Sequence, residues 1–261
     1  MITLQQQRQL DQQGYVVLPD VIAEDAVDAL NDRITAIFEI EGDQAGAEFK
    51  REPGCLRLAN LVNKGEVFQS VIANANVLSC VGAVLADYKL SSLNARVVPA
   101  HCPGDAIVRQ PLHADMAAVP DDQGYWVCNA LWMLQDITEE NGPLRVVPGT
   151  HKRGRLPQQA MKDPTAIHPD QVLVTGRAGS VVVINAHLWH GGMENHARQP
   201  RRALHAFYCR RDKPQQQYQK RLLDADVQNR LDPELRELLA LDDEHNDRVS
   251  AHVDTTSGFI K

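Results

Sequence analysis

Residues 179–192 read GSVVVINAHLWHGG, and the reading of this stretch decides the fold. A short apolar run rich in β-branched side chains, opened and closed by glycine, favours a buried strand over a helix. Branching at Cβ restricts χ1 in a helix and packs well on a pleated surface. We therefore take GSVVVINAHLW as one strand running into WHGG. The same character recurs in YKLSSLNARVV (88–98), YWVCNALWML (125–134), LRVVP (144–148), VLVTG (172–176) and RRALHAFYC (201–209), separated by Pro, Gly, Asn or Asp signals. Such a succession predicts a mainly β sandwich or barrel with helices packed outside.

The helices flank it. Residues 4–13 predict a short helix, GYVVLPD a strand closed by Pro19, and residues 23–40 a helix with Ala26, Val27, Leu30, Ile34 and Ile37 on one face and Glu24 and Asp25 at its positive end. Residues 66–86 form a further helical region with a broad apolar face. Asp232-Pro233 has the N-cap and first-turn pattern of a helix continuing through ELRELLAL, and the last dozen residues read as a tail. Asn141-Gly142 and Pro148-Gly149 mark tight turns; residues 152–170 are polar, broken by proline, and predict a mobile loop. The expected organisation is a single domain over 1–261: helical support at 1–87, a β core at 88–211, and a C-terminal helix and tail at 212–261.

Composition narrows the function. The chain has 261 residues and a formal net charge of −7, against what a nucleic-acid groove needs, namely clustered Lys and Arg that replace counterions. It contains no apolar run long enough to span a membrane and opens without a secretory-signal profile, so a cytoplasmic protein is expected, with a small-molecule substrate and neither nucleic acid nor membrane as partner. The five cysteines, Cys55, Cys80, Cys102, Cys128 and Cys209, are odd in number and scattered, which argues against a disulfide framework or a thiolate zinc site.

The chemistry starts in QPLHADMAAVPDD, residues 110–122. In an extended segment His113 and Asp115 point to one side, so an imidazole and a carboxylate converge. A 2-His-1-carboxylate iron site needs one more ligand and leaves three positions open. NAHLWHGG offers His187 and His190, which face opposite ways in a strand, so one of them is the partner. By the same alternation Asn94, Arg96 and Val98 share a face, as do Asn129, Leu131 and Met133, leaving Trp132 outside in the core. There is no G-x-S-x-G, P-loop, G-x-G-x-x-G or H-E-x-x-H motif.

The ordered set GYVVLPD, LHAD, NGPLRVVPGTH, LWHGG and QPRRAL resembles the phytanoyl-CoA dioxygenase family of Fe(II)- and 2-oxoglutarate-dependent oxygenases, which includes ectoine hydroxylase. The resemblance covers residues 4–208 and implies a double-stranded β-helix, the cupin-like jelly roll, with iron held in its open mouth. Its H-x-D falls on His113 and Asp115, and its distal histidine, followed by glycine, on His190. Its arginine for the far carboxylate of 2-oxoglutarate, eleven residues on, falls on Arg201. A guanidinium suits that task because it grips a carboxylate with two parallel hydrogen bonds. The resemblance also implies that Asn94 and Asn129 contact the cosubstrate and that Arg96 meets the substrate. His187 becomes a packing or surface residue, and His151 in PGTHK a loop-structuring one.

The implied reaction couples O₂ and 2-oxoglutarate, released as succinate and CO₂, to hydroxylation of an unactivated C–H bond in a metabolite or natural-product intermediate. Halogenating relatives replace the carboxylate that Asp115 supplies; desaturation, epoxidation and ring closure share the same oxidant. A coenzyme A thioester would call for basic surface such as Lys50, Arg51, Lys152, Arg153 and Arg155. Loops 49–60 and 152–170 are candidates for substrate selection, the second as a lid. The competing reading is a metal-binding jelly roll that is not an oxygenase, since fold does not dictate function.

Overall fold

The computed structural model describes residues 2–49, 54–100 and 109–253; Lys50, Arg51, Cys102 and most of the tail lie outside them. Helix α1 (Leu4–Gln13) is capped by Thr3 and ends at Gly14 in the left-handed region, and leads into strand β1 (Tyr15–Leu18). Helix α2 (Glu24–Glu41) buries Val27, Leu30, Ile34 and Ile37, as its spacing predicts. A short strand β2 (Leu56–Leu58) follows.

The 66–86 helical region is two helices, α3 (Glu66–Ile72) and α4 (Ala75–Leu85), bent by 47°. Asn74 starts the second one: its side chain accepts from the amides of Asn76 and Val77, which satisfies donors that an uninterrupted helix would have bonded itself. Among the described residues no single helix is long and apolar enough to cross a membrane.

The remaining strands are β3 (Tyr88–Val98), β4 (Val127–Met133), β5 (Leu144–Val147), β6 (Val172–Val174), β7 (Val181–Asn185), β8 (Trp189–Gly192) and β9 (Arg201–Arg210). Among the described residues they form a six-stranded antiparallel sheet, β1-β7-β4-β9-β3-β2, facing a three-stranded one, β6-β5-β8. The segment before His113 extends the smaller sheet: His113 and His190 exchange backbone hydrogen bonds of 2.9 and 3.0 Å, and the Gln110 amide donates to Gly192. Two facing antiparallel sheets with helices outside are the expected jelly roll.

GSVVVINAHLW does not run as one strand. The chain leaves the large sheet after Asn185, turns with Leu188 N–H on the Asn185 carbonyl at 2.8 Å, and enters the small sheet as β8. That switch lets one continuous apolar sequence serve both sheets. It reads as unbroken because β7 is buried on both faces. Val181 and Val183 pack on the helix side with Trp132, Leu204 and Tyr208, and Val182 and Ile184 pack inside with Leu131, Val146 and Val174.

The C-terminal region holds more helix than expected. Asp232 caps α7 (Pro233–Leu238) as read, and α5 (Gln219–Leu222), α6 (Ala225–Arg230) and α8 (Glu244–Ser250) join it in a helical lobe where one helix was expected. Lys89, fully buried on β3, ties this lobe down by donating to the Arg211 carbonyl and to Asn246 Oδ1, both at 2.8 Å. Loop 152–170, read as a lid, lies against the small sheet, and none of its residues lines the central cavity. The buried Arg145 guanidinium donates to the carbonyls of Gln110, Pro164 and Ala166, and Trp189 Nε1 donates to the Arg155 carbonyl. Carbonyls gathered on a buried cation hold that loop in place.

Candidate metal centre

Between the sheets lies a cavity of about 670 Å³. Into it project alternate residues of β3 (Ser92, Asn94, Arg96, Val98), β4 (Asn129, Leu131, Met133) and β9 (Arg201, Ala203, His205, Phe207). Period-two geometry thus puts every residue singled out by alternation on the cavity side, with Trp132 in the outer core.

His113, Asp115 and His190 meet at one edge of this cavity, their candidate ligand atoms all within 4.8 Å of one another. His113 Nε2 is 3.6 Å from Asp115 Oδ1, and His190 Nε2 is 3.5 Å from Asp115 Oδ2. Each ring is oriented from behind: His113 Nδ1 lies 2.9 Å from the Pro111 carbonyl and His190 Nδ1 2.7 Å from that of Leu188. A carbonyl only accepts, so each Nδ1 carries the proton and each Nε2 turns a lone pair to the centre. Burial alone would raise the Asp115 pKa, but His190 and His113 hold the carboxyl well below the usual range. Burial would lower the His113 pKa, and the hydrogen bond and charge of Asp115 together with the Pro111 carbonyl outweigh it and raise it. Two imidazole lone pairs and one ionised carboxylate, presented from one side, fit a divalent metal of the iron type.

Asn129 lines the cavity, as alternation predicts. Its amide donates to Asp115 Oδ2, so it steadies the carboxylate. Arg201 opens β9 at the cavity wall, donates from Nε to the Gly142 carbonyl at 3.1 Å, and is pulled to a pKa of about 10 chiefly by burial, which leaves it charged at neutral pH. Arg202 points outward onto α2, donating to Thr35 Oγ1 at 2.9 Å. Arg96 faces the cavity beside Arg57, its partner in the β2–β3 ladder.

His187 is absent from the cavity lining. It is buried, its Nδ1 3.0 Å from Asn185 Oδ1, and burial pushes its pKa down to about 4. His151 structures a loop: its Nε2 lies 3.0 Å from the Asp11 carbonyl, and a Cβ added at Gly14 would lie 2.5 Å from its Nδ1. Loop 49–60, expected to help select substrate, sends Phe49, Gly54, Cys55 and Arg57 to the cavity. The sequence reading missed His205 and Gln216. His205 shares the strand parity of Arg201, so extending the alternation along β9 would have found it; Gln216 comes from a segment whose sequence carries no such signal.

The chain matches the family Phytanoyl-CoA dioxygenase (PhyH) over residues 10–203. It belongs to that family. The family is one of Fe(II)- and 2-oxoglutarate-dependent oxygenases, and the matched span carries all three convergent side chains and Arg201. Dioxygenase af480 of Aspergillus fumigatus is 28% identical over 244 residues, 90% of this chain and 76% of its own. HygX from Streptomyces hygroscopicus, solved with nickel, 2-oxoglutarate and hygromycin B, superposes with a TM-score of 0.66 at 19% identity, covering 82% of this chain and 90% of HygX. The epimerase SnoN, solved with Fe³⁺, alpha ketoglutarate and nogalamycin RO, gives 0.63 at 20% identity, covering 80% and 83%. At these identities the solved structures establish the fold.

Proposed function

We propose that the protein is an Fe(II)- and 2-oxoglutarate-dependent hydroxylase of a small-molecule metabolite. The observation that carries this is one cavity holding both the convergent His113, Asp115 and His190 and, on the facing sheet, the Arg201 guanidinium. His113, Asp115 and His190 would hold the iron, and Arg201 would take the far carboxylate of 2-oxoglutarate. When bound, iron with 2-oxoglutarate and O₂ supplies an oxidant able to attack a C–H bond, with succinate and CO₂ as co-products.

The chain's own residues bind and orient. Pro111 and Leu188 carbonyls lock the two imidazole tautomers. Asn129 fixes the carboxylate, and Leu131, Met133, Val182 and Ile184 keep the inner wall apolar and free of competing water. A cavity of about 670 Å³ lies within the roughly 300–1,000 Å³ of small-molecule sites. That HygX and SnoN were solved with hygromycin B and nogalamycin RO supports a natural-product-sized substrate here. Asp115 retains a ligating carboxylate, which supports hydroxylation over halogenation. SnoN, an epimerase, marks the other outcome open to the same oxidant.

The test is an anaerobic titration of Fe(II)-loaded protein with 2-oxoglutarate, following the visible metal-to-ligand charge-transfer band. The band is expected in the wild type, absent in His190→Ala, and in Arg201→Ala shifted to about 10- to 150-fold higher 2-oxoglutarate, the value of a charge-assisted contact. No band in folded, iron-loaded wild type refutes the proposal in favour of a metal-binding jelly roll without this activity.

A further inference from the structure

A directional chain of side-chain hydrogen bonds runs along the cavity wall. It begins at Met116, next to Asp115, whose thioether can only accept. Gln216 Nε2 donates to Met116 Sδ at 3.3 Å, so Gln216 Oε1 faces the other way and accepts from Ser92 Oγ at 2.8 Å. Having given its proton to Gln216, Ser92 Oγ accepts from Asn94 Nδ2 at 3.3 Å. The amide orientation of Asn94 is thereby dictated from Met116 onward, and its carbonyl oxygen is left over. Asn94 Oδ1 is buried and has no partner, in a side chain only 4% exposed that lines the cavity. A buried acceptor without a donor is costly enough that native structures rarely keep one unless a ligand or water completes it.

2-Oxoglutarate cannot complete it directly. At neutral pH the molecule carries two carboxylates and a ketone, all acceptors. With 2-oxoglutarate unable to donate, the ligand that can complete it in place of water is the other molecule in the cavity. Directly opposite Asn94 in the β3–β9 ladder stands His205, which also lines the cavity and whose ring makes no hydrogen bond to the described residues. Burial, and then the cations Arg96, Arg201 and Arg57, hold His205 well below the ordinary histidine pKa. It is a neutral ring with one donor and one acceptor, unsuited to neutralising an anion.

We infer that Asn94 and His205 are the recognition pair for a hydroxyl group of the substrate, which donates to Asn94 Oδ1 and accepts from the His205 ring N–H. The substrate is thus a hydroxyl-bearing small molecule, and Asn94 serves it rather than the cosubstrate. Gln216 and Ser92 are positioning residues that set the Asn94 amide. This rests on reading the cavity as a 2-oxoglutarate oxygenase site.

Two measurements on the Fe(II)-loaded protein test it in wild type, Asn94→Ala, His205→Ala and His205→Gln. The first is the 2-oxoglutarate concentration at half-formation of the charge-transfer band. The second is succinate release stimulated by a panel of sugars, cyclitols and polycyclic alcohols, each paired with its O-methyl ether. We expect half-formation within about twofold of wild type in all three variants, since none of them contacts the cosubstrate. Alcohols should stimulate wild type at least about tenfold better than their ethers, a preference that falls below about threefold in Asn94→Ala, because only the alcohol carries a proton for Asn94 Oδ1. His205→Ala, which removes the donor to an oxygen that both compounds keep, should raise the half-stimulating concentration of alcohols at least about tenfold, and His205→Gln, which keeps a donor and an acceptor, should restore it to within about threefold of wild type. The inference is overturned by a tenfold rise in half-formation in either alanine variant, by ethers that act as well as alcohols, by a preference that survives Asn94→Ala, by alcohols unaffected in His205→Ala, or by a panel with no active member. Absence of the band in wild type would instead sink the oxygenase reading itself.

Discussion

Asn129→Leu separates holding a ligand from holding the fold. Asn129 lies on the inner face of β4, opposite Phe207 on β9 and Ile184 on β7. Its amide donates to Asp115 Oδ2, while its own Oδ1 is buried without a partner. A hydrogen bond to a charged group is worth about 1.5–3 kcal/mol, or about 12- to 160-fold in a dissociation constant; outer partners of metal ligands typically contribute about 10- to 100-fold. Leucine has nearly the same shape and removes the orphaned oxygen, and the side chain of Asp115 is 21% exposed, so water can replace the lost donor in the metal-free protein. Metal affinity and fold stability should therefore part company. Anaerobic calorimetric titration with Fe(II) is expected to show a dissociation constant raised about 10- to 100-fold, while the melting midpoint of metal-free protein moves by less than about 3 °C. An affinity within twofold of wild type would show that the Asn129–Asp115 bond does not hold the ligand. A melting midpoint lowered by more than about 10 °C would show that Asn129 serves the fold.

Acid should act through His187. Its pKa in the fold is about 4 against an ordinary value of about 6.5, so the unfolded chain binds the proton more readily. The stability it contributes is complete above pH 6.5 and is lost as pH falls toward 4, by about 3 kcal/mol in full. Urea midpoints at pH 7 and pH 4.5 should therefore fall further in wild type than in His187→Leu; equal losses would rule the effect out. Gly179→Ala tests the turn before β7: Gly179 has φ +84°, and an added Cβ would lie 2.4 Å from the Ile22 carbonyl oxygen. A cost of about 2–4 kcal/mol is expected, seen as a melting midpoint lower by roughly 4–16 °C. An unchanged midpoint would mean that this turn adapts without cost.

What the sequence by itself determined is local. Runs of β-branched and aromatic residues marked the strands of the two sheets except β2 and except β8, which read as the end of β7, and the parity of His113 with Asp115, and of Asn94 with Arg96, set which side chains share a face, because a strand has a period of two whatever it packs against. The roles of His190 and Arg201 came from the order and spacing of motifs in a family, which geometry alone would have left open between His187 and His190. Tertiary structure decided the rest. It split GSVVVINAHLW between two sheets and sent His187 into the core. It put Asn129 on Asp115, where parity could say only that it faces inward. It pinned loop 152–170 through Arg145, and it brought Gln216 from the C-terminal lobe to Met116, a hundred residues earlier in the chain. Such contacts depend on which groups meet once the sheets close, and a buried polar group takes whatever partner that closure brings within reach.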